Sequence, residues 1–305
     1  MNHANTKYIG RFAPSPTGPL LFGSLVAAVA SYLDARANGG AWLVRIEDVD
    51  TTRCKPHFSG EILATLHAFG LNWDGEVMVQ SERAARYSAV MDQLATKQFT
   101  YACACSRKEI ADSATAGSDG IEGPVYPGTC RARALPFKAN AIRVRTTNDE
   151  IRFVDRVQGE CVQRVETEIG DFILRRRDGL FAYQLAVVVD DADQGVTHVV
   201  RGADLLNSTA RQIHLQHLLG FPTPQYLHIP VVTNDVGQKL SKQTLAPAIG
   251  AADARKLLRD ALRDLRQPLP DTPFATTGEW LRAATLRWNV AAIPKCRTLA
   301  GSSGG

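Results

Sequence analysis

At 305 residues, 45% hydrophobic and 22% charged, the chain is long enough for one large or two modest domains with a sizeable core. A net charge of +4 permits nucleic-acid binding without demanding it. No apolar run approaches membrane-spanning length and the opening Met-Asn-His-Ala-Asn-Thr-Lys has no apolar signal core, so a cytoplasmic protein with no membrane contact is expected.

The first element is a short apolar segment, Tyr8 to Phe12, which enters a Pro-Ser-Pro-Thr-Gly turn. Beyond it Leu25, Ala28, Val29, Tyr32 and Leu33 recur at helical spacing, Gly39 and Gly40 end the helix, and Ala41 to Ile46 reads as a second buried strand. This is the opening βαβ unit of a parallel sheet, and such folds bind ligands beyond the carboxyl ends of the strands. A nucleotide phosphate suits that place, although the turn could equally be a rigid structural loop. Arg11 ends the first strand, Ser15 sits in the turn, and Glu47 follows the second strand on the same rim. Opposed charges so placed can hold the carboxylate and ammonium of an amino acid; the plain alternative is a surface ion pair.

Helices are then expected at Cys54–Phe69, with Ile62, Leu63, Leu66 and Phe69 on one face, and at Arg83–Lys97, carrying Tyr87, Val90, Met91 and Leu94. Phe99–Cys105 reads as a strand, Ser106 with Glu109 as a capping box, and Ala111–Pro124 as a mobile loop. Of six cysteines, Cys54, Cys161 and Cys296 are scattered, whereas Cys103, Cys105 and Cys130 lie close together. Three thiolates flanking a loop suit a tetrahedral zinc with a fourth ligand, unless they are only small buried apolar residues. Strands are expected at Ala141–Arg145, Ile151–Val157, Cys161–Val165, Asp171–Arg176 and Leu180–Tyr183. The stretch from Arg131 to Arg177 holds eleven Lys/Arg against seven Asp/Glu. Those arginines are candidate RNA-phosphate contacts, or else a solvated face.

Parallel-sheet character resumes at Leu185–Asp190, followed by a strand at Val196–Arg201, a helix at Ser208–Leu219 and a strand at Tyr226–Val232; Gly195 and Gly202 mark tight turns. Ala251–Arg266 reads as an amphipathic helix with Leu257, Leu258 and Leu262 inward. Glu279–Trp288 reads as another, and Pro294–Gly305 as a frayed tail.

Four runs carry a resemblance. Arg-Phe-Ala-Pro-Ser-Pro-Thr-Gly (11–18), Arg-Ile-Glu-Asp-Val-Asp-Thr-Thr-Arg (45–53) and Val-Thr-His-Val-Val-Arg-Gly-Ala-Asp-Leu-Leu (196–206) resemble the catalytic core of class I glutamyl-tRNA synthetases. Lys239-Leu240-Ser241-Lys242 resembles their second signature. The resemblance extends to about residue 245 in the family's order. It implies an α/β fold: a Rossmann-type parallel sheet in two halves, residues 1–100 and 181–250. Between them residues 101–180 form an insertion with a zinc site and acceptor-side strands. Residues 251–305 then form a short helical segment with no anticodon-binding domain. The short length and the Cys-x-Cys…Tyr-x-x-x-Cys pattern point to a branch of the family that activates L-glutamate with ATP and Mg2+. That branch places the glutamate on queuosine in the anticodon loop of tRNA(Asp). A monomer is expected.

The resemblance also implies roles. Glu47 receives the α-ammonium with help from Ala13 and Ser15, in a pocket shared with Phe12 and Pro14. Arg11 and Arg201 hold carboxylates, and Tyr183 hydrogen-bonds the side chain. Gly23, Thr17 and Lys242 contact ATP, and Lys239, Lys242 and Ser24 serve catalysis. Tyr126 completes the zinc set of Cys103, Cys105 and Cys130. Arg201 would favour glutamate over glutamine, whose neutral amide leaves the cation uncompensated, unless Arg201 pairs with Asp190, Asp191 or Asp204. One position departs from the pattern. The family's first signature reads His-x-Gly-His or His-x-Gly-Ser, and here it is Leu21-Phe22-Gly23-Ser24. Losing one donor to the reacting phosphates costs about a hundred- to a thousandfold in rate. A slowed enzyme, with Ser24 or Thr17 compensating, is therefore expected. The alternatives are a silent nucleotide- or tRNA-binding regulator and a truncated tRNA(Glu)-charging enzyme.

Overall fold

The computed structural model describes residues 7–113, 119–120, 123–234, 248–270 and 275–301. Strand β1 (Ile9–Phe12) passes through the Pro-rich turn into α1 (Phe22–Ala37), and β2 (Ala41–Ile46) returns parallel to β1 with Arg11 opposite Leu43. Gly39 turns the chain at φ +61°, and Gly40 leaves room where a Cβ would lie 2.5 Å from the Tyr8 carbonyl. Helix α2 (Pro56–Ala68) starts on a proline, whose missing N–H costs nothing in a first turn. Strand β3 (Met78–Val79) joins β2 in parallel, and α3 (Ala84–Thr96) follows.

Strand β4 (Thr100–Cys103) leads to α4 (Arg107–Ser113). Its capping box is formed: the Ser106 N–H donates to the Glu109 carboxylate at 2.6 Å, and the Glu109 N–H to Ser106 Oγ at 3.2 Å. Of the loop expected over Ala111–Pro124, residues 114–118 and 121–122 lie outside the described residues; among the described ones α4 continues to Ser113 and β5 (Asp119–Gly120) pairs with β6 (Gly123–Pro124). Strand β7 (Ala141–Val144) comes next, then a hairpin of β8 (Glu150–Asp155) and β9 (Gly159–Arg164), a single turn α5 (Val165–Glu168), and β10 (Ile173–Arg175). Strand β7 lies between β4 and β10 in a small antiparallel sheet.

Two expectations fail next. Leu180–Tyr183 supplies only one bridge, Phe181 to Arg175. Leu185–Asp190 is not a strand but the body of α6 (Tyr183–Asp193). Every residue from Gln184 to Asp191 is buried, so the polar stripe that marks a surface helix is missing and the run of valines reads like a buried strand. Strand β11 (His198–Gly202) and helix α7 (Thr209–Leu219) stand as expected, and Gly220 ends α7 at φ +71°. Gly202 is not a left-handed turn, its φ being −68°; the constraint is space, since a Cβ there would meet Asp204 Oδ1 at 2.4 Å. The single strand expected at Tyr226–Val232 is two, β12 (Gln225–Ile229) and β13 (Val231–Thr233), divided at Pro230, which has no N–H to donate. Helices α8 (Ala254–Asp264) and α9 (Thr277–Thr285) follow. Of the tail expected to fray, residues 302–305 lie outside the described residues, and the part before them contributes β14 (Thr298–Ala300), parallel to β13.

Thr197 joins the halves of the sheet. Its N–H donates to the Ile9 carbonyl and its hydroxyl accepts the Ile9 N–H, both at 2.9 Å. The resulting order is β3, β2, β1, β11, β12, with the β8–β9 hairpin beyond β12 through one pair, Tyr226 with Asp155. Alternate residues feed two cores: Val200 and Leu227 pack with α1, α8 and α9, whereas Val199 and Tyr226 pack with α3, α6 and α7. Covering both faces in this way is the doubly wound arrangement. Buried Asp34 of α1 clamps three segments, accepting Tyr8 Oη at 2.5 Å, Arg156 at 2.5 and 3.0 Å, and the Trp288 indole N–H at 3.0 Å. Among the described residues no helix is long and apolar enough to cross a membrane.

Candidate active site

A cleft of about 820 Å³ opens at the carboxyl ends of β1, β2 and β11, within the size range of small-molecule sites. Arg11, Phe12, Ala13, Pro14, Ser15, Thr17, Gly23, Ser24, Glu47, Tyr183 and Arg201 all line it, so residues spread over 190 positions meet around one space. Lys239 and Lys242 lie outside the described residues. The Pro-rich turn is fixed to the rim by its carbonyls: Pro14 accepts the Glu47 N–H at 2.9 Å and Pro16 the Lys55 N–H at 3.0 Å.

Beneath the cleft lies a network of charges. Arg11 forks onto Asp191 at 3.1 and 3.3 Å. Arg45, whose side chain is wholly buried, reaches Asp191 at 2.8 Å, Glu47 Oε1 at 3.1 Å and the Gln194 side-chain carbonyl at 2.7 Å. Asp190 is held by Arg83 at 2.6 Å and by Gln80 and Tyr87, each at 2.8 Å. Burial opposes the charge on Asp191, but Arg11 and Arg45 hold its carboxyl below the usual range. Burial raises Glu47 above that range despite Arg45 and Arg11. Only Oε1 of Glu47 is engaged among the described residues, by Arg45. The carboxylate therefore has a second oxygen to offer a cation entering the cleft, and such a cation favours its charged form. Sequence reading gave Arg45 no role and weighed Asp190 and Asp191 only as partners of Arg201. The signal was there: an arginine inside Ala-Trp-Leu-Val-Arg-Ile and a pair of aspartates ending a valine run each require a buried partner.

Arg201, in the lining of the same cleft, is 5% exposed, and its guanidinium is engaged on one side. Its Nε–H donates to His228 Nε2 at 3.0 Å, Nη2 to Thr209 Oγ1 at 3.0 Å and to the Leu205 carbonyl at 3.4 Å, and Nη1 to Tyr183 Oη at 3.4 Å. Asp190 and Asp191, considered as alternative partners, are occupied by other groups. His228 is itself buried and meets Asp155 Oδ2 through Nδ1 at 2.6 Å. Burial, against the pull of Asp155, lowers the His228 pKa to about 4; the imidazole is neutral at physiological pH. Neither His228 nor Asp155 was singled out from the sequence. Leu21, the departure from the signature, is the extended residue preceding α1, lines the same cleft, and bridges to Ala248.

A second constellation lies apart from the cleft. The Sγ atoms of Cys103, Cys105 and Cys130 are all within 4.8 Å of one another. Tyr126 Oη is 3.4 Å from Cys103 Sγ and 3.7 Å from Cys105 Sγ, and it accepts the Cys130 N–H at 2.9 Å. Burial opposes ionisation of Cys130, but hydrogen bonds with Tyr126 and with the Ala104 backbone bring the thiol down to about 7. Three soft donors and one oxygen so gathered fit a tetrahedral zinc site. Asp171 braces the cluster from behind, receiving Arg131 at 2.5 Å, Tyr101 Oη at 2.5 Å and Thr146 at 2.8 Å.

Residues 8–265 match the family model described as the catalytic domain of class I tRNA synthetases (E and Q). A relative from Ectopseudomonas mendocina (strain ymp) named glutamyl-Q tRNA(Asp) synthetase is 52% identical over 297 residues, covering 97% of this chain and 98% of the relative. One of the same name from Dechloromonas aromatica (strain RCB) is 55% identical over 296 residues, covering 95% and 97%. Among solved structures, the glutamate-tRNA synthetase of Elizabethkingia anophelis superposes with a TM-score of 0.80 over 97% of this chain and 68% of that one, at 23% identity, which bears on the fold alone. Its sequence and its sheet together place this chain in the class I tRNA synthetase (E and Q) catalytic-domain family, to which it belongs alongside the proteins named glutamyl-Q tRNA(Asp) synthetase.

Proposed function

We infer that the chain is a ligase that activates L-glutamate with ATP and transfers it to the queuosine of tRNA(Asp). The observation that carries this reading is the pairing of two things. Relatives of that name match nearly the whole chain at 52–55% identity, and one cleft is lined by Glu47, with an oxygen that Arg45 leaves unengaged, and by Arg11 and Arg201. In the first step a glutamate α-carboxylate oxygen attacks the α-phosphorus of ATP, the bond to the β-phosphate oxygen breaks, and pyrophosphate leaves. The modified nucleoside then displaces AMP from the adenylate. Glu47 receives the α-ammonium, with Ala13 and Ser15 beside it, and Arg201 with Tyr183 meets the side-chain carboxylate. Arg11, oriented by its fork onto Asp191, faces the α-carboxylate.

Little covalent work falls to the protein, so positioning and cationic stabilisation supply the rate. Lys239 and Lys242 are assigned to the departing pyrophosphate, and Thr17, Gly23 and Ser24 to the nucleotide, with Mg2+ accompanying the phosphates. Cys103, Cys105, Tyr126 and Cys130 would hold a structural zinc, which would tie β4 to the segment preceding β7. Leu21 favours one further reading, a protein that binds these substrates without activating them. Labelled glutamate, ATP and tRNA with or without queuosine decide the matter. Label in the anticodon loop, dependent on queuosine, is the expected result. Label at the 3′ end would identify a tRNA(Glu)-charging enzyme, and no label despite measurable binding would identify a regulator.

A further inference from the structure

Arg201 carries the proposed selectivity for glutamate, and its aim depends on groups that never reach the cleft. Asp155 Oδ1 accepts three backbone N–H groups: Val157 at 3.0 Å, Gln158 at 2.8 Å and His228 at 3.2 Å. Its other oxygen, Oδ2, faces His228 Nδ1 at 2.6 Å. An oxygen at that distance requires a proton on Nδ1, which leaves Nε2 with a lone pair, and that lone pair lies 3.0 Å from the Nε–H of Arg201. Asp155 and His228 are 2% and 0% exposed, so no solvent substitutes for either bond.

We propose that Asp155 and His228 are positioning residues for glutamate selection: Asp155 fixes the Nδ1–H tautomer of His228, and the Nε2 lone pair thus set free orients the Arg201 guanidinium toward the substrate carboxylate. The proposal rests on the reading of Arg201 as the side-chain contact. Its chemistry is specific. A neutral acceptor holds a cation in place without cancelling its charge, whereas a carboxylate in the same position would neutralise Arg201 and remove its preference for glutamate over glutamine. Thr209 fills the same role on Nη2, which leaves the Nη1 edge, beside Tyr183 Oη, as the part that meets substrate.

The discriminating variant is Asp155→Asn. Because three N–H groups require an oxygen at Oδ1, the amide NH2 must take the Oδ2 position and donate to His228 Nδ1. The histidine proton then moves to Nε2 and confronts the Nε–H of Arg201, donor against donor. The KM for glutamate should rise roughly ten- to a hundredfold, with the KM for ATP changed less than twofold. In 15N-histidine spectra, identified by the signal missing in His228→Gln, the unprotonated nitrogen should switch from Nε2 to Nδ1. A pair at position 228 tests the same bond without Asp155. His228→Gln places a carbonyl where Nε2 stood and should retain most glutamate affinity, whereas His228→Asn serves only Asp155 and should lose it, whatever their relative thermal stabilities. Equal glutamate KM in the two, or a wild-type His228 protonated on Nε2, would overturn the proposal even if Asp155→Asn failed to fold. Arg201→Ala separates the two levels. Should it leave glutamate KM unchanged, the reading of Arg201 falls and the relay with it; should it raise that KM while Asp155→Asn does not, the relay alone falls.

Discussion

Replacing Arg45 with methionine tests the charge network under the cleft. Methionine keeps much of the aliphatic stem and removes the guanidinium. The consequences are unequal for the three acids around it. Asp191 retains Arg11 at 3.1 Å, and Asp190 retains Arg83 at 2.6 Å, but Glu47 loses the cation on which its Oε1 rests. Breaking a buried pair costs about 3–5 kcal/mol because one charge is left uncompensated. With only one of the three acids stranded, the lower end applies, about 3 kcal/mol. At about 2–4 °C per kcal/mol for a chain approaching this size, the melting temperature should fall by roughly 6–12 °C. Protonation relieves a stranded carboxylate. Glu47 in the variant will have a folded pKa above its unfolded value, so the deficit is full above that raised pKa and shrinks as pH falls through it. Thermal unfolding followed by circular dichroism at pH 8 and pH 5.5 reads both effects, and glutamate KM should rise in parallel. A melting temperature within 2 °C of wild type, or a deficit equal at both pH values, would refute the assignment of Arg45 as the support of Glu47.

Other consequences are more direct. Leu21→His places a donor at the head of α1 and should raise ATP–pyrophosphate exchange by about a hundred- to a thousandfold; no gain would mean that the site operates without that donor. Arg201→Ala should weaken glutamate far more than ATP in the same exchange assay, and equal losses would contradict its placement against the amino acid. The lowered His228 pKa gives an acid limb: its contribution to stability is full above about 6.5, declines as pH falls, and is gone once pH passes through about 4. That amounts to about 3 kcal/mol. Urea unfolding from pH 7.5 to 4 should show this limb in wild type and lose it in His228→Gln. Purified protein never exposed to chelator should hold one zinc per chain by elemental analysis, and Cys130→Ala should hold none; metal-free wild type that remains folded would count against the site.

What the sequence made legible divides along physical lines. Strand β2 was read with its bounds intact and β1, α1 and α7 within a few residues, because each carries a strong period and a clear stop: Gly39 after α1, Gly220 after α7. Helix α6 was misread for want of a polar side, being buried all round. Strand β14 was missed because three residues near the end of a chain carry no pattern; only their neighbour β13 makes them a strand. The cleft residues were legible through motif resemblance, and the structure brings eleven of them to one cavity. Their supports were not. Arg45, Asp191, His228 and Asp155 act across the fold, and a contact such as Asp155 with His228, 73 positions apart, leaves no local trace.

The last strand has a wider bearing. Thr298–Ala300 lies along Val231–Thr233, with the Val231 N–H on the Arg297 carbonyl at 2.9 Å and the Gly301 N–H on the Thr233 carbonyl at 3.0 Å. Val231 and Val232 also line the cleft, so removal of Thr298–Ala300 would strip the backbone ladder from one wall of that cavity without touching the helices that pack on either face of the sheet.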